Sequence, residues 1–466
     1  MMRILLLLLI AISVQCQAQS KKKKQRLALQ QQLQAAALLA SNLTTHLQTL
    51  AGYTPSYPIN IGNTNEPKTI GYLIQQYQKM GIPPLGSDSG SYVQPFVIDD
   101  GKYIIDSATF FTVNEKPLQL RTDFFPLATS RSSVIKGAAA LAMNERKQPW
   151  FKDLKDLLED NNQNPHFNLA QSIQTEAEKA AKKGALALCL YNTSKQPDNI
   201  QFLQYDTSYV AAIPVIYITK QGISRFFKDY AAFQQLHLGV AIGKQYSTAK
   251  NVVAYINNHA NNTIVLGAYY HYLSNPLTDS LKAVSGYQAN NNIGGTAVLL
   301  ELARLLNTAA AKNNNYILIH FSGKASTALG SKHWLQKPAI NPSNINYMFN
   351  INMLDQYDTL PKLTIGGVGT SPIWTASLQA APAALPLQLD SGVVTTDEHT
   401  CFYRAGIPVL SFGATKPTSS MQTAANTTNH LNIEPQKALV QYLYQLVLNN
   451  NTKGKLPYAQ TAEVSK

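Results

Sequence analysis

The run Tyr316-Ile-Leu-Ile-His-Phe321 is apolar at almost every position. A strand packed on one face alternates between apolar and polar residues; a strand covered on both faces need not. This run therefore asks for a sheet with helices on both sides. Residues 252–256 and 263–269 read as strands before it, and residues 346–353, 363–365 and 408–412 as strands after it. Between them, Val298, Leu299, Leu302, Leu305 and Leu306 recur at helical spacing within residues 294–306, and residues 433–448 close the chain as a helix. Strands alternating with helices predict an α/β fold, a three-layer sandwich around a mostly parallel, mixed sheet. Sites in such folds lie beyond the carboxyl ends of the strands. The segments after Tyr269, Phe321, Met353 and Phe412 are thus expected to converge on one pocket.

Earlier in the chain the texture differs. Residues 25–50 are rich in Ala, Leu and Gln and read as a helix, as do residues 71–80, with Ile70, Leu73, Ile74 and Tyr77 on one face and Gly81, Pro83 and Pro84 as stop signals. From about 118 to 244 a separate α+β pattern appears. It runs through the loop Asn161-Asn-Gln-Asn-Pro165, a helix at 174–183 ended by Gly184, strands at 185–191 and 212–218, and a helix at 222–230. We expect this stretch to be an inserted domain, with a discontinuous main domain at 43–117 and 245–450, a basic and Gln-rich helix at 19–42, and a flexible tail at 451–466.

The chain opens Met1-Met2-Arg3 and runs apolar through Ile12. A positive start, a short apolar core and small residues near Ala18 are the marks of a signal peptide, here residues 1–18, and the core is too short for a stable membrane span. We expect export, to a periplasm or the medium, with Cys16 as a lipid anchor the less favoured alternative because Gln15 stands where a small residue is wanted. No transmembrane span is expected further on. The formal net charge is +13, part of it in Lys21-Lys-Lys-Lys24 and Arg26. Aromatic residues do not interleave with the basic ones, so no nucleic-acid partner is expected. Beyond Cys16 the cysteines are Cys189 and Cys401, too few for a disulfide framework. Oligomeric state is not legible.

Several pieces together carry a resemblance. They are residues 71–96, with Gly81-Ile-Pro-Pro-Leu-Gly86 and Tyr92-Val-Gln-Pro-Phe96; residues 294–304; Phe321-Ser-Gly323; Phe402-Tyr-Arg-Ala-Gly-Ile-Pro-Val-Leu410; and the closing Thr423, Thr427 and Leu431-Asn432. From about residue 43 onward the chain resembles metallopeptidase family 28, the two-zinc aminopeptidases, and residues 118–244 resemble the protease-associated insert of some members. The resemblance implies two zinc ions held by two histidines and three carboxylates, with a further glutamate as general base.

Position by position, this chain departs from that pattern. Where the family has the His of Gly-Ala-His-Tyr-Asp, this chain has Tyr269, and His271 replaces the aspartate. Asn290 stands at the bridging aspartate. Lys324 and Ala325 replace the two consecutive glutamates, Lys324 at the general-base position. Asn352 replaces the next carboxylate, and Gln422 the last histidine. The local charge moves by about five units toward positive, which is hostile to a dication, and amide oxygens are poor zinc ligands. No metal and no cofactor are therefore expected, and no residue is assigned as catalytic. A rebuilt single-metal site would need His271, His320 and one acid from Asp355, Asp358, Asp397 and Glu398, with His399 matching a family position outside the metal shell; such a site demands a geometry sequence does not supply. The expectation is an inactive pseudo-aminopeptidase that binds a peptide or protein, with Lys324, His271, Asn290, Asn352 and Gln422 lining the pocket. The alternative is an active or rewired metallo-exopeptidase.

Overall fold

The apolar run of the sequence is a strand buried at all eight of its positions. The computed structural model describes residues 2–53, 66–164, 166–204, 206, 208–270, 292–323, 328–352, 362–384, 386–414, 433–451 and 454–464. The helices among them are α1 Met2–Tyr53, α2 Glu66–Lys79, α3 Lys155–Asp160, α4 Leu169–Lys182, α5 Lys220–Phe226, α6 Ile293–Thr308, α7 Leu329–Gln336, α8 Trp374–Ala380, α9 His399–Arg404 and α10 Glu434–Asn450. The strands are β1 Val93–Ile104, β2 Phe110–Val113, β3 Lys116–Pro117, β4 Phe124–Pro126, β5 Ser133–Ala139, β6 Pro149–Asp153, β7 Ala187–Tyr191, β8 Val215–Ile218, β9 Gln234–Val240, β10 Ile242–Ile256, β11 Asn262–Tyr269, β12 Asn314–Phe321, β13 Ile345–Ile351, β14 Leu363–Gly366, β15 Leu387–Leu389, β16 Val393–Val394, β17 Val409–Ala414 and β18 Glu463–Val464.

The chain divides into two compact units. The first holds a mixed sheet of order β1-β10-β12-β11-β13-β17-β14-β15. Its centre, β12, β11, β13 and β17, is parallel; β10 and β14 join it antiparallel. Alternation along each strand feeds two separate cores. Leu266, Ala268, Leu318, Phe349 and Ile351 pack with Leu43 and Leu47 of α1, Leu73 and Tyr77 of α2, most of α6, Trp374 of α8 and Leu443 of α10. Val265, Tyr269, Ile317, Ile319, Phe321 and Met348 face the other way, onto Trp334 of α7 and Phe402 of α9. Helices on both faces are why β12 carries no polar face, and the α/β sandwich expected from the sequence is the architecture observed.

The second unit spans Val97–Ser247 among the described residues. It holds an antiparallel sheet, β3-β2-β9-β5, and a sheet β4-β8-β7-β6 in which β6, β7 and β8 are parallel. Phe111, Leu238, Cys189 and Ile216 lie in the core between the sheets. Ile173, Ala177 and Ala180 of α4 cover the outer face of the second. Asn168 caps α4 by accepting from Gln171 N, and Gly184 ends it at φ +92°, a conformation glycine takes without a Cβ clash. The helix expected at 222–230 stops at Phe226, and the Tyr230 carbonyl accepts instead from Ala142 N.

The segment after Asn450, expected as a flexible tail, is docked. Leu456 is buried, β18 pairs in parallel with β16, Tyr403 Oη donates to the Thr461 carbonyl at 2.7 Å, and Arg404 grips Glu463 with two nitrogens. Its few apolar residues find a groove that tail composition does not reveal. Among the described residues no helix is long and apolar enough to cross a membrane.

Candidate functional site

Parallel pairing fixes which residues finish side by side. Tyr269 lies opposite Phe321, Asn350 opposite Ser411, and Ile351 opposite Phe412. The carboxyl ends of β11, β12, β13 and β17 therefore form one rim, beyond which lie residues 270, 322 and 352. The segments expected to converge on a pocket there lie largely outside the described residues.

Asn292 fastens the rim. It is fully buried just ahead of α6, at φ 27° and ψ 48°. Its Oδ1 accepts from Gly295 N at 3.2 Å, and its Nδ2 donates to the Tyr269 carbonyl at 3.1 Å and the Ile351 carbonyl at 2.7 Å. One side chain thus caps a helix and ties the ends of two strands. A Cβ at Gly295 would collide with the Asn292 amide, so glycine is required there. Sequence reasoning passed over Asn292 in favour of Asn290. The signal that could have found it was its place immediately before an apolar helix, where asparagine is a preferred cap.

On the α2 side of the rim sits a buried polar knot. The Tyr270 hydroxyl lies 2.9 Å from Glu66 Oε1 and 2.7 Å from the Lys250 carbonyl, and Ser322 Oγ donates to Glu66 at 3.2 Å. Burial pushes the Tyr270 phenol well above its ordinary range, with the Glu66 charge adding to it, so this hydroxyl is a fixed donor. Ser322 N donates to Asn251 Oδ1, and Asn251 Nδ2 in turn donates to Gln94 and to the Gly330 carbonyl. Ser322-Gly323 is therefore a pinned turn, with Gly323 at φ +69°. This supports a structural role for that Ser-Gly pair; a fully buried Ser322 hydroxyl is not presented to a substrate.

On the α9 side, Glu398 Oε2 accepts from Ser331 N at 3.1 Å at the start of α7. His399 Nδ1 lies 3.3 Å from Asn350 Nδ2, which also reaches Ser411 Oγ at 3.4 Å. His320 faces away from this group. It sits on the opposite face of the sheet from Phe321, with Nε2 2.8 Å from the Tyr77 hydroxyl. Burial, reinforced by nearby His46, lowers its pKa to about 3, so it is neutral. The rebuilt-metal reading put His320 with one of the acids; strand alternation turns it away from the Glu398 side, while His271, Asp355 and Asp358 lie outside the described residues. Among the described residues no group of three or more His, Cys, Asp and Glu is placed to hold a metal ion.

Of the positions singled out in the sequence, Tyr269 and Asn352 are described; His271, Asn290, Lys324, Ala325, Gln422, Asp355 and Asp358 lie outside the described residues. Tyr269 is buried with its ring in the α7–α9 core. Asn352 N donates to the Phe412 carbonyl at 2.8 Å, while its side-chain oxygen, in a residue 6 % exposed, has no hydrogen-bond partner among the described residues. A buried phenol and a neutral amide do not fit a zinc ion, which takes imidazole, thiolate or carboxylate. An orphaned buried amide oxygen costs about 1–3 kcal/mol.

Residues 251–447 match the model of Peptidase family M28. Among solved structures, the chain is similar to the aminopeptidase from Aneurinibacillus sp. strain AM-1, at 18% identity and a TM-score of 0.51, covering 92% of this chain and 97% of that one. It is likewise similar to BSAP, a zinc aminopeptidase from Bacillus subtilis, at 16% identity and a TM-score of 0.51, covering 92% and 98%. At these identities the likeness is one of fold. No curated protein matches.

Proposed function

We propose that this chain, whose residues 251–447 carry a peptidase family M28 domain, is an exported pseudo-aminopeptidase. In this reading it keeps the peptidase fold without two-zinc chemistry and uses the strand-end rim to bind a peptide or protein. The observation that carries the reading is Asn352. Where the family pattern has a metal-binding carboxylate, this chain has a buried neutral amide whose oxygen accepts nothing. The sequence at Asn290, Lys324, Ala325 and Gln422 points the same way: each replacement removes negative charge or a nitrogen ligand, and Lys324 adds a cation. Loss of one ligand weakens a metal site; loss of the whole anionic shell removes what offsets two dications.

The described part of the rim supports a retained role. Asn292, Glu66 and Asn251 hold its strand ends through buried hydrogen bonds, in this reading without any metal chemistry to serve. In this reading Lys324 supplies the charge that recognises an anionic group on the ligand, such as a peptide carboxylate.

Elemental analysis of the purified chain tests the first part. The expected result is well below one zinc per chain and no chelator-sensitive release of aminoacyl p-nitroanilides. Near two equivalents of zinc with chelator-sensitive turnover would establish the alternative, a working exopeptidase. Calorimetry with peptides bearing free and amidated carboxyl termini tests the second part. Tighter binding of the free acids, lost in Lys324→Ala, is expected; equal binding of both sets removes Lys324 from recognition.

A further inference from the structure

The helix α1 is one continuous element, but its two ends live in different surroundings. Leu43, Leu47 and Leu50 are 0–4% exposed and belong to a seam with alternating three- and four-residue steps. Followed toward the N-terminus, the same steps reach Ala40, Ala36, Leu33 and Leu29. Leu33 and Leu29 are 62% and 57% exposed. The apolar seam that docks the helix onto the first unit therefore continues past the end of that contact. Leu27 and Leu38 are also exposed and stand off the seam, so this segment presents apolar surface on more than one side.

Charge decides what could cover it. Residues 21–26 carry five cations, and the first acidic residue of the whole chain is Glu66. Stretched as helix, residues 21–38 span about 27 Å, a rod with a cationic end and a leucine-bearing shaft. A second copy set parallel along the seam would bring two lysine runs together. A nucleic acid would satisfy the cations and leave the leucines in water. An anionic bilayer satisfies both: lipid headgroups attract the lysines while leucines enter the interface.

We propose that residues 21–38 form a docking arm for an anionic lipid surface, holding the M28 domain at a membrane without crossing it. The arm is independent of whether the strand-end rim binds a peptide.

The test is cosedimentation of the full chain, as processed by its host and with its N-terminus read by mass spectrometry, with vesicles of phosphatidylcholine alone or mixed with phosphatidylglycerol. Binding to the mixed vesicles alone, abolished by molar salt, is expected. Replacing Lys21, Lys22, Lys23 and Lys24 with Gln should weaken binding by about 100- to 1000-fold. The pair Leu29→Ser and Leu33→Ser should weaken it at least about tenfold. Leu29 and Leu33 are exposed, so unchanged circular dichroism is expected of the leucine variant, and the lysine variant is held to the same control. Equal binding to neutral vesicles, undiminished binding of the lysine variant, or a mature chain that begins after Arg26 would each overturn the proposal. So would concentration-dependent self-association lost in the leucine variant without vesicle binding, or tighter binding of duplex DNA than of mixed vesicles.

Discussion

Asn292 and Asn352 are two asparagines at the same rim with opposite accounts. Asn292 spends its amide on one backbone N–H and two carbonyls. Asn292→Gly would keep the backbone conformation and lose these ties; a loss of about 3 kcal/mol is expected, from one cap and two stranded carbonyls, measured by urea unfolding. Asn352 has an oxygen with nothing to accept. Asn352→Leu should therefore leave stability unchanged or raise it by about 1 kcal/mol while abolishing ligand binding; a loss of several kcal/mol would mean the amide is structural. His320 gives a pH signature. Its folded pKa lies near 3, against about 6.5 unfolded. Above pH 6.5 both states are neutral and the residue contributes no slope. As pH falls below 6.5 the unfolded state takes up a proton the native state refuses, so stability drops by up to about 1.4 kcal/mol per pH unit until about pH 3. His320→Gln should flatten the acid limb of a stability-versus-pH curve. Tyr269 and Asn352 were singled out in the sequence because they stand where the resemblance expects ligands. The orphaned oxygen and the neutrality of His320 were not, since both depend on which face of a strand a residue takes and what lies opposite.

At the scale of elements, the sequence yielded the central strands and the long helices because their periods are unambiguous: the near-continuous apolar run of β12 and a regularly spaced α6 admit one reading each. It misjudged the short α5 and the C-terminal segment, where a few residues are placed by tertiary partners instead of by pattern. What sequence could not show is how α1 is anchored. Glu301 of α6 is buried against it, accepting from Asn42 Nδ2 at 3.0 Å and Arg304 Nε at 2.9 Å, with His46 Nε2 3.4 Å away. Burial pushes the Glu301 carboxyl up, but its hydrogen bonds with His46 and Arg304 outweigh this and hold it below the usual range. His46 Nδ1 continues to the Tyr72 hydroxyl at 2.7 Å, so α1, α2 and α6 meet in one network. Glu301→Ala would strand these donors, and a loss of about 3 kcal/mol is expected, with hydrogen exchange rising first along residues 39–53 of α1.

Across the whole molecule, two compact units share one chain; the second spans Val97–Ser247 among the described residues, where the α+β texture of the sequence suggested a separate stretch from about 118 to 244. The strands β1 and β10 carry the chain into and out of the second unit. The first unit is assembled from both ends of the sequence: Leu43 and Leu47 of α1 and Leu439 and Leu443 of α10 lie in one core. A chain emerging in order from a ribosome cannot close that core until its last helix has been made. Until α10 has been made, the leucines of α1 and α6 wait without that partner.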